Sequence, residues 1–244
     1  MADKYVYFFG NNKAEGKKEM KNELGGKGAN LAEMTNLGVP VPPGFTLSAK
    51  VCDLYYKNNK QYPNGLKNEV DQNLKKVEDA TGMKFGDPDN PLLFSVRSGA
   101  AVSMPGMMDT ILNLGTNEKV VEGLAKKTNN PRFAWDAYRR FIQMFSSVAM
   151  GLEHHDFEHI LENAKKKKGV VNDTDLDAED LKNLVSEYKK MYKAKKGSNF
   201  FKSSASRSVS FATPFLFFIF SKICSKSWCS SPIATELNIW INLL

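Results

Sequence analysis

The sequence predicts an α+β fold. Residues up to about 117 alternate short β-rich runs with helical stretches, and residues from there to about 199 carry helical periodicity alone. Beyond Phe200 neither period continues. These shifts divide the chain into a first subdomain at 1–117, a helical subdomain at 118–199 and a divergent tail at 200–244.

KYVYFFG, residues 4–10, is rich in aromatic and β-branched side chains and reads as a strand. An Asn/Lys/Glu/Gly loop follows. LGGKGANLAEMTNLG then shows helical spacing through Leu31, Met34 and Leu37, with Gly38 as its stop. The proline-rich VPVPPGFTLS leads into a strand at 45–47, and Ser48 is placed to cap a helix through Val51, Leu54 and Tyr55. Leu66, Val70, Leu74 and Val77 mark an amphipathic helix over 65–80. LLFSVR at 92–97 reads as a buried strand, and SGAAVSMPGMMDT after it has no period of either kind.

In the second region, PRFAWDAYRRFIQMFSSVAMG aligns Phe133, Ala137, Phe141, Phe145 and Val148 in one stripe, opened by Pro131 and closed by Gly151. LDAEDLKNLVSEYKKMY repeats the pattern, with Asp177 as N-cap and Leu181, Leu184, Val185 and Tyr188 on its apolar face. These helices are expected to pack on one another.

The tail differs in composition. Residues 203–231 hold ten serines, and FATPFLFFIF is an apolar run of ten, half of what a membrane span needs. The break implies a truncated product or a shifted reading frame, and a tail that is poorly ordered and not a folded domain; the alternative is an interfacial anchor at 215–220. The net charge of +7 includes +3 from residues 201–244, so no clustered basic face argues for nucleic acid. Cys52, Cys224 and Cys229 form neither a disulfide framework nor a metal-ligand spacing. With no targeting segment at the N-terminus, the expected compartment is the cytoplasm.

Two constellations could carry chemistry. Gly25-Gly26-Lys27-Gly28 stands at a helix start, where glycines let backbone amides approach an anion and Lys27 adds a point charge. The spacing is neither that of a P-loop nor that of the dinucleotide fingerprint, and a glycine turn with a solvated lysine fits it equally well. Arg97 ends a strand beside a small-residue loop, which suits a two-pronged grip on phosphate, or else a structural ion pair. His154, His155 and His159 cluster without a metal-binding pattern and read as a surface group.

Together the blocks NELGGKGANLAEM, VPVPPGFTLS, PLLFSVRSGAAVSMPGMMDTILNLG and NPRFAWDAYRRFIQMF resemble the opening of pyruvate, phosphate dikinase, in order and spacing, over about 200 residues. The resemblance implies a partial ATP-grasp-like nucleotide-binding domain with a helical insert. It implies a kinase with paired acceptors: ATP, phosphate and pyruvate yield AMP, pyrophosphate and phosphoenolpyruvate through a phosphohistidine on a domain absent here. Lys27 and Arg97 match the family's ATP-phosphate-binding cations. Gly25, Gly26, Gly28, Ser98, Gly99, Ser103, Met104, Gly106, Met107, Asp109 and Thr110 fall in its nucleotide-binding segments. ATP and magnesium are the implied cofactors, with the magnesium ligands beyond these blocks, and family members are implied to be homo-oligomers. After KAKKGSNF the sequence departs from the family's pattern, so this chain alone is not expected to complete the reaction.

Overall fold

A computed structural model describes residues 4–100, 110–197 and 235–241, the backbone alone for 98–100 and 235–241. In chain order the elements are β1 (Val6–Gly10), β2 (Lys13–Ala14), α1 (Lys21–Asn36), β3 (Gly44–Leu47), α2 (Ala49–Lys57), α3 (Leu66–Thr81), β4 (Lys84–Phe85), β5 (Pro91–Leu92), β6 (Phe94–Ala100), β7 (Thr110–Leu114), α4 (Glu118–Thr128), α5 (Pro131–Val148), α6 (His154–Lys168), α7 (Ala178–Lys196) and β8 (Thr235–Ile241). The fold is mixed helix and sheet.

Two compact units divide the chain. Of the described residues, the first draws on 4–83, 94–100, 110 and 235–241, the second on 84–93 and 111–197. The sequence reading placed one boundary at 117, and here residues 84–93 and 111–117 belong with the helices. Packing explains the difference. β4 pairs with β5, and Gly123 of α4 lies so close to Pro88 that an added Cβ would stand 1.5 Å from its carbonyl oxygen. The Asn113 side-chain amide also donates to the Ala137 carbonyl of α5 at 3.1 Å. The run LLFSVR, read as one strand, is accordingly split at Leu93 between β5 and β6.

In the first unit the strands run β2–β1–β3–β8–β6, every pair antiparallel. The segment after β1, read as a loop, is a hairpin: Asn11 and Asn12 both adopt positive φ, the conformation of a two-residue turn that matches strand twist. Alternation sorts the two faces. Register aligns Val6 with Leu47 and Phe8 with Phe45 on one face, and Tyr7 with Thr46 on the other. α3 lies on the first face, where Lys76 sits 5.6 Å from the centre of the Phe8 ring. Its Glu69 carboxylate accepts the Tyr5 and Val6 amides at 2.9 Å each. α1 lies on the second face, where Tyr7 packs with Leu24 and Ala29.

The buried side of α1 corrects the sequence reading. Its core-facing residues are Leu24, Gly25, Gly28, Ala29, Ala32 and Thr35, whereas Met34 is 42% and Leu37 72% exposed. Small side chains let the helix approach the sheet closely, so the face read from Leu31, Met34 and Leu37 turns outward. Ser48 occupies the N-cap position of α2, but its hydroxyl makes no capping bond there.

β8 comes from the tail whose composition suggests poor order, and its backbone runs between β3 and β6. The rest of 200–234, including the apolar run, Cys224 and Cys229, lies outside the described residues.

In the second unit, α5 packs against α4, α6 and α7. Asn130 caps α5 ahead of Pro131, and Asp177 forms a capping box with Asp180 at the start of α7. The Tyr188 hydroxyl donates to the Phe157 carbonyl at 3.0 Å, with the two rings edge to face at 4.9 Å. Arg139, buried on α5, donates to Asp136 at 2.7 Å and to Gln143. Burial pushes the Asp136 carboxyl up, but the Arg139 and Arg140 guanidiniums outweigh it and hold the group below its ordinary range.

Candidate functional site

The helix start at Gly25 is built by a break in the backbone. Gly25 has φ 64° and ψ 176°, a conformation essentially closed to residues with a Cβ. It interrupts α1, so the regular helix restarts after it, with a glycine, a lysine and a glycine in its first turn. The amides of such a first turn lack intrahelical acceptors and sit at the positive end of the helix dipole. A Cβ on Gly26 would meet nothing within 4 Å, so open space adjoins this turn.

The residues before the break are anchored. Leu24 is 1% exposed, and a Cβ on Gly16 would stand 2.4 Å from its Cδ1. The Tyr7 hydroxyl donates to Glu23 at 3.4 Å. Burial first, and then the Glu23 carboxylate, push the Tyr7 phenol up to about 12, so it stays a neutral donor. The sequence reading singled out neither Tyr7 nor Glu23; the one signal for them is a tyrosine two residues along from Tyr5 on the face that meets α1.

Arg97 lies on β6. Register links Tyr7 to Thr46, Thr46 to position 238 and position 238 to Arg97, which sets all four on one face of the sheet. That is the face covered by α1, which packs against both β6 and β8. The Arg97 Nε donates to the Thr110 hydroxyl at 3.1 Å, and Arg97 is half-buried. A guanidinium is a planar, charged group of the kind that grips oxyanions with two parallel hydrogen bonds.

The sheet and helix therefore bring Gly25, Gly26, Lys27, Gly28, Arg97 and Thr110 into one unit, on one side of its sheet. Ser98 and Gly99 continue β6 beyond Arg97. Ser103, Met104, Gly106, Met107 and Asp109 lie outside the described residues, so the expected loop over the phosphates is not placed. The three histidines are remote in kind as well as in sequence. The rings of His155 and His159 stack at 6.5 Å, and His154 lies 3.4 Å from Glu158 on the surface of α6. Among the described residues no three His, Cys, Asp or Glu side chains converge as metal ligands.

The broken helix start, with Lys27 in its first turn, and Arg97 therefore lie on the same face of the first unit's sheet. Residues 21–81 match the family model described as "Pyruvate phosphate dikinase, AMP/ATP-binding domain". The relatives of this chain are pyruvate, phosphate dikinases. It is 54% identical over 197 residues to the chloroplastic pyruvate, phosphate dikinase of Flaveria pringlei, covering 81% of this chain and 20% of that protein. Identity to pyruvate, phosphate dikinase 2 of Zea mays is 56% over 195 residues, 80% of this chain and 22% of that one. For the pyruvate, phosphate dikinase of Clostridium symbiosum it is 54% over 190 residues, 78% and 21%. The chain thus spans about a fifth of the length of the curated dikinases it matches. The matched segment 21–81 contains the helix break and Lys27. Among the described residues no helix is long and apolar enough to cross a membrane.

Proposed function

We propose that this chain is the ATP-phosphate-gripping part of a dikinase, and that its first unit is one lobe of an ATP-grasp-like domain. The observation that carries the reading is the break at Gly25, inside the segment that matches an AMP/ATP-binding domain and on the sheet face that holds Arg97. In this reading the first-turn amides and Lys27 hold one phosphate group of ATP. Arg97, oriented by Thr110, holds another and neutralises charge as phosphoryl transfer proceeds. Ser98, Gly99, Ser103, Met104, Gly106, Met107 and Asp109 line the loop that covers the phosphates.

In this reading magnesium arrives with ATP, and its protein ligands belong to sequence beyond the blocks shared with the family. The whole reaction, from ATP, phosphate and pyruvate to AMP, pyrophosphate and phosphoenolpyruvate, then needs the phosphohistidine and pyruvate-binding parts of a full-length dikinase. The second unit is the helical insert of that domain. The compartment is the cytoplasm, or the chloroplast that the names of the Flaveria and Arabidopsis relatives state.

Equilibrium binding of magnesium-ATP to the purified chain tests the proposal. Saturable binding is expected, and no phosphoenolpyruvate forms from the chain alone. The absence of a thermal or chemical shift at millimolar ATP overturns the binding claim, and turnover by the isolated chain overturns the division of labour.

A further inference from the structure

The middle of the first unit's sheet is filled from the far end of the chain. β8 follows α7 only after residues 198–234, and it lies outside the sequence blocks shared with the dikinases. Yet it pairs with four residues of β3 and seven of β6.

With one strand between them, β3 and β6 lie about 10 Å apart, too far to bond each other. With β8 in place Phe45, Phe94 and Val96 are all 0% exposed, and without it the facing edges of β3 and β6 lose their backbone partners. A strand in the gap satisfies both edges, and those edges define which kind. Register sets position 237 opposite Leu47, position 239 opposite Phe45 and Val96, and position 241 opposite Phe94. In this chain those positions are Leu237, Ile239 and Ile241. The alternating positions 236, 238 and 240 face Gly99, Arg97 and Ser95, on the sheet face of the anion site. A slip of one residue would put the apolar set on the wrong face.

We propose that the gap between β3 and β6 is a strand-acceptor site, and that residues 235–241 are its resident ligand. The site takes an extended segment, antiparallel to both edges, with branched apolar residues at alternate positions. Main-chain bonds to both edges supply the affinity, and the alternation of apolar positions along the strand supplies the register. Occupancy also fixes β6, and with it Arg97, so the tail serves as a positioning element for the anion site.

The test uses the full chain carrying Ile239→Pro, which removes a ladder donor in mid-strand and vacates the gap. The probe is a fluorescein-labelled peptide of residues 232–244. Saturable binding to the variant is expected, at least tenfold tighter than to the unmodified chain, whose site is filled. The same peptide with Ile239→Pro does not bind. Equal binding to both chains, or none to the variant, overturns the proposal. A second measurement is independent of that variant's folding. In the full chain, Ser95→Cys with Trp240→Cys forms a disulfide under mild oxidation, because the two positions are register partners. Ser95→Cys with Ile239→Cys, one residue out of register, does not. Equal yields from the two pairs overturn the proposal. Neither readout depends on ATP, so failure here is distinct from failure of the nucleotide reading.

Discussion

Two adjacent glycines with opposite expected responses give a stringent prediction. Gly25 adopts φ 64° and ψ 176°, and a Cβ there costs about 1–3 kcal/mol of backbone strain. Replacing glycine also restricts the unfolded chain, which returns about 0.4–1 kcal/mol. The net loss for Gly25→Ala is about 1–2 kcal/mol, a factor of about 5–30 in the local opening equilibrium. Gly26 lies in the helix after the break, and its added Cβ meets nothing within 4 Å. Gly26→Ala therefore gains up to about 0.5–1 kcal/mol from helix propensity. Hydrogen exchange of peptides from residues 24–36, read by mass spectrometry in the full chain, separates the two: protection falls in Gly25→Ala and holds or rises in Gly26→Ala. ATP affinity adds a second axis. If the open space at Gly26 is where a phosphate approaches, Gly26→Ala weakens ATP binding about tenfold, a loss of about 1.4 kcal/mol, while stabilising the helix. Equal protection in the two variants would refute the assignment of the break. Unchanged ATP affinity in Gly26→Ala would refute the use of that space.

Further predictions address the rest of the chain. Arg97→Lys keeps the charge but loses the fork held by Thr110, so ATP binding weakens about tenfold or more by calorimetry with the fold unchanged by circular dichroism. Gly123→Ala forces a Cβ to within 1.5 Å of the Pro88 carbonyl oxygen, and overpacking of this kind costs about 1–3 kcal/mol, read as lower protection of α4 and of residues 84–93. Asp136 is held below its ordinary value of 3.8, so the stability it contributes is present above 3.8 and is lost as the pH falls below it through the lowered folded-state value. Acid titration of α5 and α7 protection should show this decline, and Asp136→Asn should remove it. Tyr188 has the opposite sign. Burial first, opposed by Arg139, holds its phenol up to about 12, so its contribution is present below 10.0 and is lost as the pH rises toward 12. Alkaline titration followed by tyrosinate absorbance should register Tyr188 late, together with Tyr7, which is also pushed up to about 12, and Tyr188→Phe should flatten that loss of stability.

Much of the fold was legible because it is local. The stripes of α5 and α7, their Asn130 and Asp177 caps and the aromatic strand β1 depend on residues a few positions apart, and sequence spacing displays them directly. The glycine cluster was legible as a helix start for the same reason. The buried side of α1 was not, because close packing onto a sheet favours Ala29 and Ala32 over Met34 and Leu37, the reverse of ordinary hydrophobic patterning. The turn at Asn11–Asn12 needed two left-handed residues that are not glycine, and the composition suggested only a loop. The least legible feature was β8. Its alternation is short, it stands in a serine-rich tail, and its meaning lies in a gap between two strands nearly 140 and 190 residues earlier in the chain. Of the proposed phosphate-binding cations, Lys27 and Arg97 were both named from sequence, but only the sheet register sets Arg97 on the face that α1 covers.

The most direct measurement of the central claim is calorimetric titration of magnesium-ATP into the full chain and into the same chain with Lys27→Ala and Arg97→Ala combined. Saturable binding to the unmodified chain and none to the double variant at millimolar ATP are expected, with α5 and α7 equally protected in both. Equal binding to the two chains, or no binding to either, would contradict that claim.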